Sequence, residues 1–393
     1  MTAAIAVISL AIWVYFLFAR GGFWRMRESP APPPLSGAAP AVAAVVPARN
    51  EAAVVARAVA SLAAQCYPGT FSILLVDDAS DDGTPRVARD AAPGDVLRVI
   101  GARPLPSGWT GKMWAVSEGV RAAGAAEYLL LTDADIVHPP DDVAGLVARA
   151  RHGGYDLVSA MVRLRCASAA EQALVPAFVF FFFLLYPPAW IADPRRGTAG
   201  AAGGCILIRR EALERIGGIE RIRAEVIDDC ALARAVKRSG GRVWLGLNGD
   251  ALSVREYPGF ADIGRMIART AFTQLGYSAW MLAGTVAGLA LTYLAPPALT
   301  LLAPQGPART MGAAAWLIMT ATYLPAVRYY RRPWFWAPLL PAITVFYLGA
   351  TLWSAAAYWR GRGGMWKGRS AAPGKACRGK EGGGENQEMT AGE

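Results

Sequence analysis

The middle of the chain alternates short runs of aliphatic and β-branched residues with alanine-rich stretches. This pattern covers 41–258 and predicts an α/β fold, with a mainly parallel sheet and helices packed on both faces. Apolar residues recur at helical spacing within 54–62, so the first helix is the clearest and should pack on the sheet through that stripe. The predicted strands are 42–46, 72–76, 96–100, 128–132 and 157–161.

An apolar stretch precedes this region. Residues 1–20 predict an N-terminal membrane anchor whose basic end, at Arg20, Arg25 and Arg27, faces the cytoplasm. A cleaved signal peptide would carry its positive charges before the apolar run instead of after it. The proline-rich segment 21–40 is expected to be a semi-rigid linker between this anchor and the α/β region.

Three further apolar blocks follow a predicted interfacial segment at 259–277. Each block is close to the ~20 residues that span a bilayer. We therefore expect 278–360 to form C-terminal transmembrane helices. The blocks are 278–303, 310–327 and 334–358.

The sequence leaves the topology of these blocks open. Three spans after a cytoplasmic domain would put the basic segment 360–369 outside, against the positive-inside tendency. Either one block is re-entrant, or the first block is broken at Pro296 and Pro297. The remainder, 361–393, is basic at first and then polar and glycine-rich, so we expect it to end in a disordered tail.

One more apolar run, 173–191, lies inside the α/β region and contains Pro176, Pro187 and Pro188. A membrane span there would put the two halves of one domain on opposite sides of the bilayer. We therefore predict an interfacial helix. A buried core helix is the alternative.

Composition narrows the function classes. The chain of 393 residues is 54% hydrophobic with a mean hydropathy of +0.28, which is too apolar for an ordinary soluble enzyme. The net charge is +10, but Lys and Arg gather beside the apolar stretches, which favours lipid headgroups and phosphates as partners and no nucleic acid. The five cysteines are scattered without CxxC spacing, so neither a disulfide framework nor a zinc site is indicated.

Polar residues follow the first two predicted strands, at the sheet edge where open α/β folds bind ligands. Pro47, Asn50 and Glu51 come at the end of the first strand, and Asp78 follows the second. A carboxylate at this edge can accept an N–H of a nucleobase. The alternatives are a helix cap for Asn50 and Glu51 and turn chemistry for Asp78.

Two carboxylates separated by one residue, Asp133 and Asp135, follow the strand at 128–132. Mg²⁺ and Mn²⁺ prefer hard oxygen ligands and usually retain substrate phosphates, so one or two protein carboxylates are enough. Such a pair also occurs by chance, and a strand-end turn leading to His138 is the alternative.

The segments PARNE, LLVDDASDDGT, GWTGKMWA, LLLTDAD and IDDCALA occur in this order. Their succession over 41–258 resembles the inverting glycosyltransferases of family 2, which have the GT-A fold. Within that family, GWTGKMWA, RTAFTQL and RGRGGMWKGR are most similar to hopene-associated glycosyltransferases of hopanoid biosynthesis. The processive polysaccharide synthases of the family carry Gln-x-x-Arg-Trp, which is missing from RMIARTAFT, so repeated chain extension is not expected.

The resemblance implies a role for each candidate. Asp78 would contact the base, Asp133 the ribose or diphosphate, Asp135 the metal and Lys112 the donor phosphates. In the acidic pair after 227, Asp229 would be the general base. The other residues assigned to substrate are Pro47, Asn50, Glu51, Gly203, Gly204 and Asp228.

For several of these assignments, a purely structural role or a solvated side chain is the alternative. Lys112 could be solvated, Gly203 and Gly204 could be plain turn formers, and the acidic pair could simply favour a helix N-terminus. The family commonly has Glu where this chain has Asp228.

The sequence as a whole predicts a membrane-bound, metal-dependent, inverting transfer of a sugar from a nucleotide-diphospho-sugar to a lipid, and the resemblance implies a hopanoid or its polyol side chain as the acceptor. Transfer to a polyprenyl phosphate and a non-catalytic membrane scaffold of the same fold are the alternatives. We expect a multi-pass protein of the bacterial cytoplasmic membrane, with its catalytic domain in the cytoplasm.

Overall fold

The computed structural model describes residues 2–92, 94–361, 365–366 and 369–370. An eight-stranded sheet with the order β3-β2-β1-β4-β7-β6-β8-β5 organises the middle of the chain. Its strands are β1 (Val42–Ala48), β2 (Phe71–Asp77), β3 (Leu97–Gly101), β4 (Tyr128–Thr132), β5 (Ile136–Val137), β6 (Leu157–Arg163), β7 (Cys205–Arg209) and β8 (Val243–Ser253). A separate pair joins β9 (Met365–Trp366) to β10 (Arg369–Ser370).

All five predicted strands are present. The pairs β1–β2, β1–β4, β2–β3 and β6–β8 are parallel. The reversed strand β7 pairs antiparallel with β4 and β6, and β5 pairs antiparallel with β8, which makes the sheet mixed. Strands β5, β7 and β8 were not predicted.

Helices surround the sheet and continue beyond it. They are α1 (Thr2–Phe18), α2 (Val55–Ala63), α3 (Thr84–Ala91), α4 (Gly111–Ala122), α5 (Asp142–Gly153), α6 (Ala169–Leu185), α7 (Pro188–Ala192), α8 (Arg210–Arg215), α9 (Asp228–Arg238), α10 (Phe260–Gln274), α11 (Ala279–Leu289), α12 (Ala295–Leu302), α13 (Pro307–Tyr329) and α14 (Leu340–Trp359). Short 3₁₀ segments lie at Phe23–Arg25, Ile219–Ile222 and Trp334–Leu339.

The two faces of the sheet have separate cores, because alternate residues of each strand point to opposite sides. In β1, Val42, Ala44 and Val46 pack with α2, α3 and α5. Ala43 and Val45 pack on the other side with α4 and α9. This second core is continuous with α6 and α13, so one face of the sheet is joined to the apolar helices.

Among the described residues, four helical segments are long and apolar enough to cross a membrane. They are Ala169–Ala192, Ala279–Leu302, Pro307–Tyr329 and Trp334–Trp359. Helix α1 is apolar but shorter, at 17 residues. Trp13 of α1 donates from Nε1 to the carbonyl oxygen of Thr292 at 2.7 Å, which ties the predicted anchor to the C-terminal helices.

Proline affects these helices less than the sequence suggests. Helix α6 continues through Pro176 and ends at Leu185, just before Pro187. The chain also stays helical through Pro296 and Pro297, since a π-helical segment at Ala290–Leu294 leads directly into α12. Whether 173–191 lies at the interface stays a prediction, and the predicted tail at 371–393 lies outside the described residues.

Glu171 anchors the start of α6. Its side chain is fully buried, and its carboxylate accepts the backbone N–H groups of Ala167, Ser168 and Tyr257 at 2.7 to 2.9 Å. Arg165 adds a charge-assisted pair at 2.9 and 3.0 Å. Both carboxylate oxygens therefore face donors, and the end of the α/β region is tied to α6.

We expect Glu171→Gln to destabilise the protein by about 2–4 kcal/mol, because either orientation of the new amide turns an NH₂ group toward donors. Denaturation of the purified protein in detergent would measure the loss. The matched control is Glu214→Gln, which changes an exposed carboxylate on α8 and should cost less than about 0.5 kcal/mol. Equal stability of the two variants would contradict this assignment.

Candidate functional site

The loops after β1 and β2 interlock at the carboxyl edge of the sheet. The Asn50 N–H donates to Ser80 Oγ at 2.9 Å, and Asn50 Oδ1 accepts the Asp81 N–H at 3.0 Å. Asn50 has φ 52°, a left-handed conformation that Asn tolerates better than most residues. It therefore joins two loops, and α2 begins only at Val55.

Asp78 is 2% exposed and lies inside this pair of loops. The Arg49 guanidinium is 3.7 Å from Asp78 Oδ2 and also donates to the Asp78 carbonyl oxygen. In the neighbouring turn, Asp82 accepts the Thr84 N–H at 3.0 Å at the start of α3. Contact of Asp78 with a nucleobase stays a prediction.

Arg255 links two carboxylates that the sequence could not connect. Its guanidinium donates to Glu51 Oε1 at 2.7 Å and to Asp135 Oδ2 at 2.9 Å. Ser253 Oγ adds a bond to the same Asp135 oxygen at 3.1 Å. Burial raises the pKa of Asp135, the Arg255 charge lowers it, and the charge of Asp133 raises it further. The sequence signal that could have pointed to Arg255 is its position just after β8, a strand that the sequence pattern did not predict.

Lys112 lies between two acidic groups. Its Nζ is 3.1 Å from Asp133 Oδ1 and 3.2 Å from Asp228 Oδ2. Burial lowers the pKa of Lys112, but the charges of Asp133, Asp228 and Asp229 raise it above its ordinary value. The ammonium is therefore paired, and the alternative of a solvated side chain is wrong for this structure.

Asp229, the second residue of α9, accepts hydrogen bonds from two backbone N–H groups. Its Oδ2 accepts the Gly203 N–H at 2.9 Å, and its Oδ1 accepts the Cys230 N–H at 2.7 Å. Burial and then the charge of Asp228 raise the pKa of Asp229 to about 6, against the lowering effect of Lys112. A carboxylate with this pKa can hold or accept a proton near neutral pH.

The two glycines have different roles. A Cβ at Gly203 would lie 3.1 Å from Asp229 Oδ2, so the missing side chain permits the close approach of the carboxylate. The Gly204 carbonyl oxygen accepts Thr132 Oγ at 2.8 Å and the Asp133 N–H at 3.4 Å. Gly204 thus fixes the loop that carries Asp133.

A pocket collects most of the predicted residues. The predicted site residues in its lining are Pro47, Lys112, Asp133, Gly203, Asp228 and Asp229. Apolar side chains, among them Val116, Ile206 and Ile222, line the rest. The pocket thus brings the Lys112 ammonium together with the carboxylates of Asp133, Asp228 and Asp229. Asn50, Glu51, Asp78 and Asp135 are not part of its lining.

A buried group of His138, Asp142 and Cys205 brings potential metal ligands within 4.8 Å of one another. However, His138 Nδ1 lies 2.6 Å from Asp142 Oδ2, and His138 Nε2 lies 2.9 Å from Thr132 Oγ. Burial raises the pKa of the Cys205 thiol well above its usual range. Both imidazole nitrogens are therefore engaged in short polar contacts, which suits a structural network better than a metal site.

Asp135 suits a divalent cation better. In the described part of the chain, the hydrogen bonds to its side chain all reach Oδ2, so Oδ1 can face a cation. Asp133, two positions earlier in the chain, offers a second hard oxygen ligand. Arg255 is a competing positive charge at this position.

The comparisons with known proteins bear on this site. Residues 43–217 match the family model described as Glycosyl transferase family 2. The match covers less than half of the chain. The match confirms the expectation of a glycosyltransferase but does not show the hopanoid association.

Curated relatives cover only part of the chain. The undecaprenyl-phosphate 4-deoxy-4-formamido-L-arabinose transferase of Aeromonas hydrophila is 31% identical over 126 residues, or 32% of this chain and 37% of the relative. An N-acetylglucosaminyltransferase of Rhizobium leguminosarum is 28% identical over 219 residues, covering 54% and 50%. A beta-monoglucosyldiacylglycerol synthase of Trichormus variabilis is 28% identical over 192 residues, covering 47% and 39%. The chain thus spans half or less of the length of these relatives.

A solved structure covers more of the chain. The mannosyltransferase PcManGT from Pyrobaculum calidifontis, in complex with GDP-Man and Mn²⁺, has a TM-score of 0.52 and 21% identity. It covers 90% of this chain, and 99% of that chain is matched. At this identity the likeness concerns the fold alone, and it confirms the predicted GT-A fold.

The pKa of Asp229 generates a pH prediction. A general base works when deprotonated, so the rate of transfer should rise as pH rises through about 6 and level off above it. Asp229→Asn should lower kcat by roughly 10²- to 10⁴-fold, as expected for loss of a general base. Initial rates across pH would measure both effects. Asp90→Asn, on exposed α3, is the control and should keep the wild-type profile.

Metal binding can be assigned by two substitutions. Asp135→Asn should weaken Mn²⁺ binding by at least about tenfold, because a hard oxygen ligand is lost. Cys205→Ala, in the buried histidine network, should leave the affinity unchanged. Electron paramagnetic resonance of free Mn²⁺ would measure it. Weaker binding only in Cys205→Ala would move the site to that network.

Proposed function

We propose that the chain is a membrane-bound, metal-dependent, inverting glycosyltransferase that transfers a sugar from a nucleotide-diphospho-sugar to a lipid acceptor. One observation carries this proposal. A single pocket is lined by Lys112, by its ion-pair partners Asp133 and Asp228, and by Asp229, a carboxylate whose pKa is raised to about 6. An inverting transfer needs a base on the sugar face opposite the leaving group, together with positive charge near the leaving diphosphate. In this pocket Asp229 is the candidate base and Lys112 the candidate positive charge.

In this proposal Asp229 accepts the proton of the acceptor hydroxyl while that oxygen attacks the anomeric carbon. Lys112 stabilises the negative charge that develops on the diphosphate, and Asp78 and Asp133 position the nucleoside. Asp135 would hold a divalent cation, whose charge would further neutralise the diphosphate when bound. Mg²⁺ and Mn²⁺ suit these oxygen ligands.

A lipid acceptor is supported by the way the domain joins the apolar helices. The sheet face that carries α4 and α9 shares one core with α6 and α13. Two of the relatives carry lipids in their names, undecaprenyl phosphate in one and a diacylglycerol glycolipid in the other. We infer a multi-pass protein of the bacterial cytoplasmic membrane with its catalytic domain in the cytoplasm.

Within this class we propose a hopanoid or its polyol side chain as the acceptor, on the strength of the motifs GWTGKMWA and RTAFTQL. Transfer to a polyprenyl phosphate is the second candidate. It is favoured by the 31% identity to the undecaprenyl-phosphate transferase.

Purified protein in lipid nanodiscs, incubated with radiolabelled nucleotide-sugars and each acceptor class, tests the proposal. We expect label in a hopanoid product with wild type and none with Asp229→Asn. Label only in a polyprenyl-phosphate product would select the second candidate. A deletion strain that Asp229→Asn restores as well as wild type would instead identify a non-catalytic scaffold.

A further inference from the structure

A chain of polar groups runs from α10 to the loop beside Asp229. Gln274 Nε2 donates to the Tyr186 hydroxyl oxygen at 2.8 Å. The Tyr186 hydroxyl contacts the Cys230 thiol, and Cys230 Sγ donates to the Ala201 carbonyl oxygen at 3.6 Å. This series of contacts ends on the Ala201 carbonyl oxygen, two residues before Gly203.

The loop at 198–203 is held from several sides. Lys237 Nζ donates to its first carbonyl oxygen at 2.8 Å, and Ser159 Oγ accepts a backbone N–H near its end at 2.7 Å. The last N–H of the loop, from Gly203, donates to Asp229 Oδ2. Any shift of the loop therefore moves a donor of the proposed base.

The Tyr186 ring fills the space beneath this loop. A Cβ at Gly200 would lie 2.7 Å from the ring, and Tyr186 is 9% exposed. The absence of a side chain at Gly200 therefore lets the ring pack directly against the backbone. The hydroxyl is placed between Gln274 and Cys230 by this contact.

Gln274 connects the same chain to the apolar helices. It is the last residue of α10, and α10 is bonded to α14 because Ser354 Oγ accepts the Phe272 N–H at 3.1 Å. Helix α14 lies within Trp334–Trp359, one of the segments long and apolar enough to cross a membrane. A continuous set of contacts thus joins that segment to the loop beside Asp229.

We propose that Tyr186 and Gln274 are positioning residues for Asp229. Through them, the position of α10 influences the orientation of the Asp229 carboxylate. This inference rests on the proposed function for its kinetic consequence. The contact chain itself does not depend on which sugar or lipid is used.

The expected direction follows from the surroundings of Asp229. The charged groups that face it are Asp228 on α9 and Lys112 from α4, and Cys230 is its buried neighbour. The Gly203 and Cys230 N–H groups lower the pKa of Asp229. Loosening these donors would raise that pKa, so the acid limb of the rate profile would move to higher pH.

Tyr186→Phe removes only the hydroxyl, and Gln274→Met removes the amide at similar length. Each should lower kcat by roughly 3- to 10-fold, the loss expected for one hydrogen bond, with little change in the KM of the donor. Each should also move the acid limb of the pH–rate profile to higher pH. The control is Tyr67→Phe, which removes a hydroxyl that donates to the Pro40 carbonyl oxygen at 2.6 Å, far along the chain from Asp229.

A second readout does not need catalysis. The rate at which iodoacetamide alkylates Cys230, followed by peptide mass spectrometry, reports how often this buried thiol opens to solvent. We expect faster alkylation in Tyr186→Phe and Gln274→Met and a wild-type rate in Tyr67→Phe. An unchanged alkylation rate with an unchanged acid limb in both variants would overturn the inference, as would equal effects in Tyr67→Phe.

The two readouts separate this inference from the proposed function. If wild-type protein transfers no sugar from any donor, the proposed function fails, and the alkylation rates alone decide the inference. Faster alkylation would then support the positioning contact, and unchanged alkylation would reject it.

Discussion

The Lys112 ammonium, held between Asp133 and Asp228, is the interaction on which the rest of the site depends. The sheet edge concentrates carboxylates from three loops, and like charges at short range cannot all stay ionised without a cation. Lys112 neutralises the group around Asp229, while Arg255 neutralises Asp135 and Glu51. Two cations from different elements therefore make one acidic edge compatible with a folded domain.

The sequence predicted the elements well where a local pattern was enough. Strands β1, β4 and β6 are largely apolar runs buried on both faces, so their positions could be recognised without knowing their partners. Asn50, Asp78 and Asp133 follow from the same logic, because parallel strands end at one edge. Arg255 could not be found this way, since it meets Glu51 across 204 residues and through a strand that was not predicted. Lys112 was assigned through the family resemblance alone.

The contacts between the α/β domain and the apolar helices also could not be predicted from local sequence patterns. Helix α6 is apolar around most of its circumference, which does not distinguish a core helix from a membrane helix. Its partners decide its surroundings: Phe180 contacts Tyr323 of α13, and Tyr347 of α14 donates to the Leu174 carbonyl oxygen at 2.8 Å. The same helix delivers Tyr186 to the loop beside Asp229. An apolar run interrupted by prolines thus contributes to the site as well as to packing.

The charge arrangement constrains how the proposed reaction can proceed. A diphosphate that approaches Lys112 competes with Asp133 and Asp228 for the same ammonium. Release of Asp228 from Lys112 leaves its charge beside Asp229, and an unscreened neighbouring carboxylate raises the pKa of an acid. Donor binding would therefore increase the basicity of Asp229 at the moment when an acceptor proton must be taken. The proposed base Asp229 and the Lys112 ammonium interact electrostatically through Asp228, which explains why α4 and α9 contribute to the same pocket.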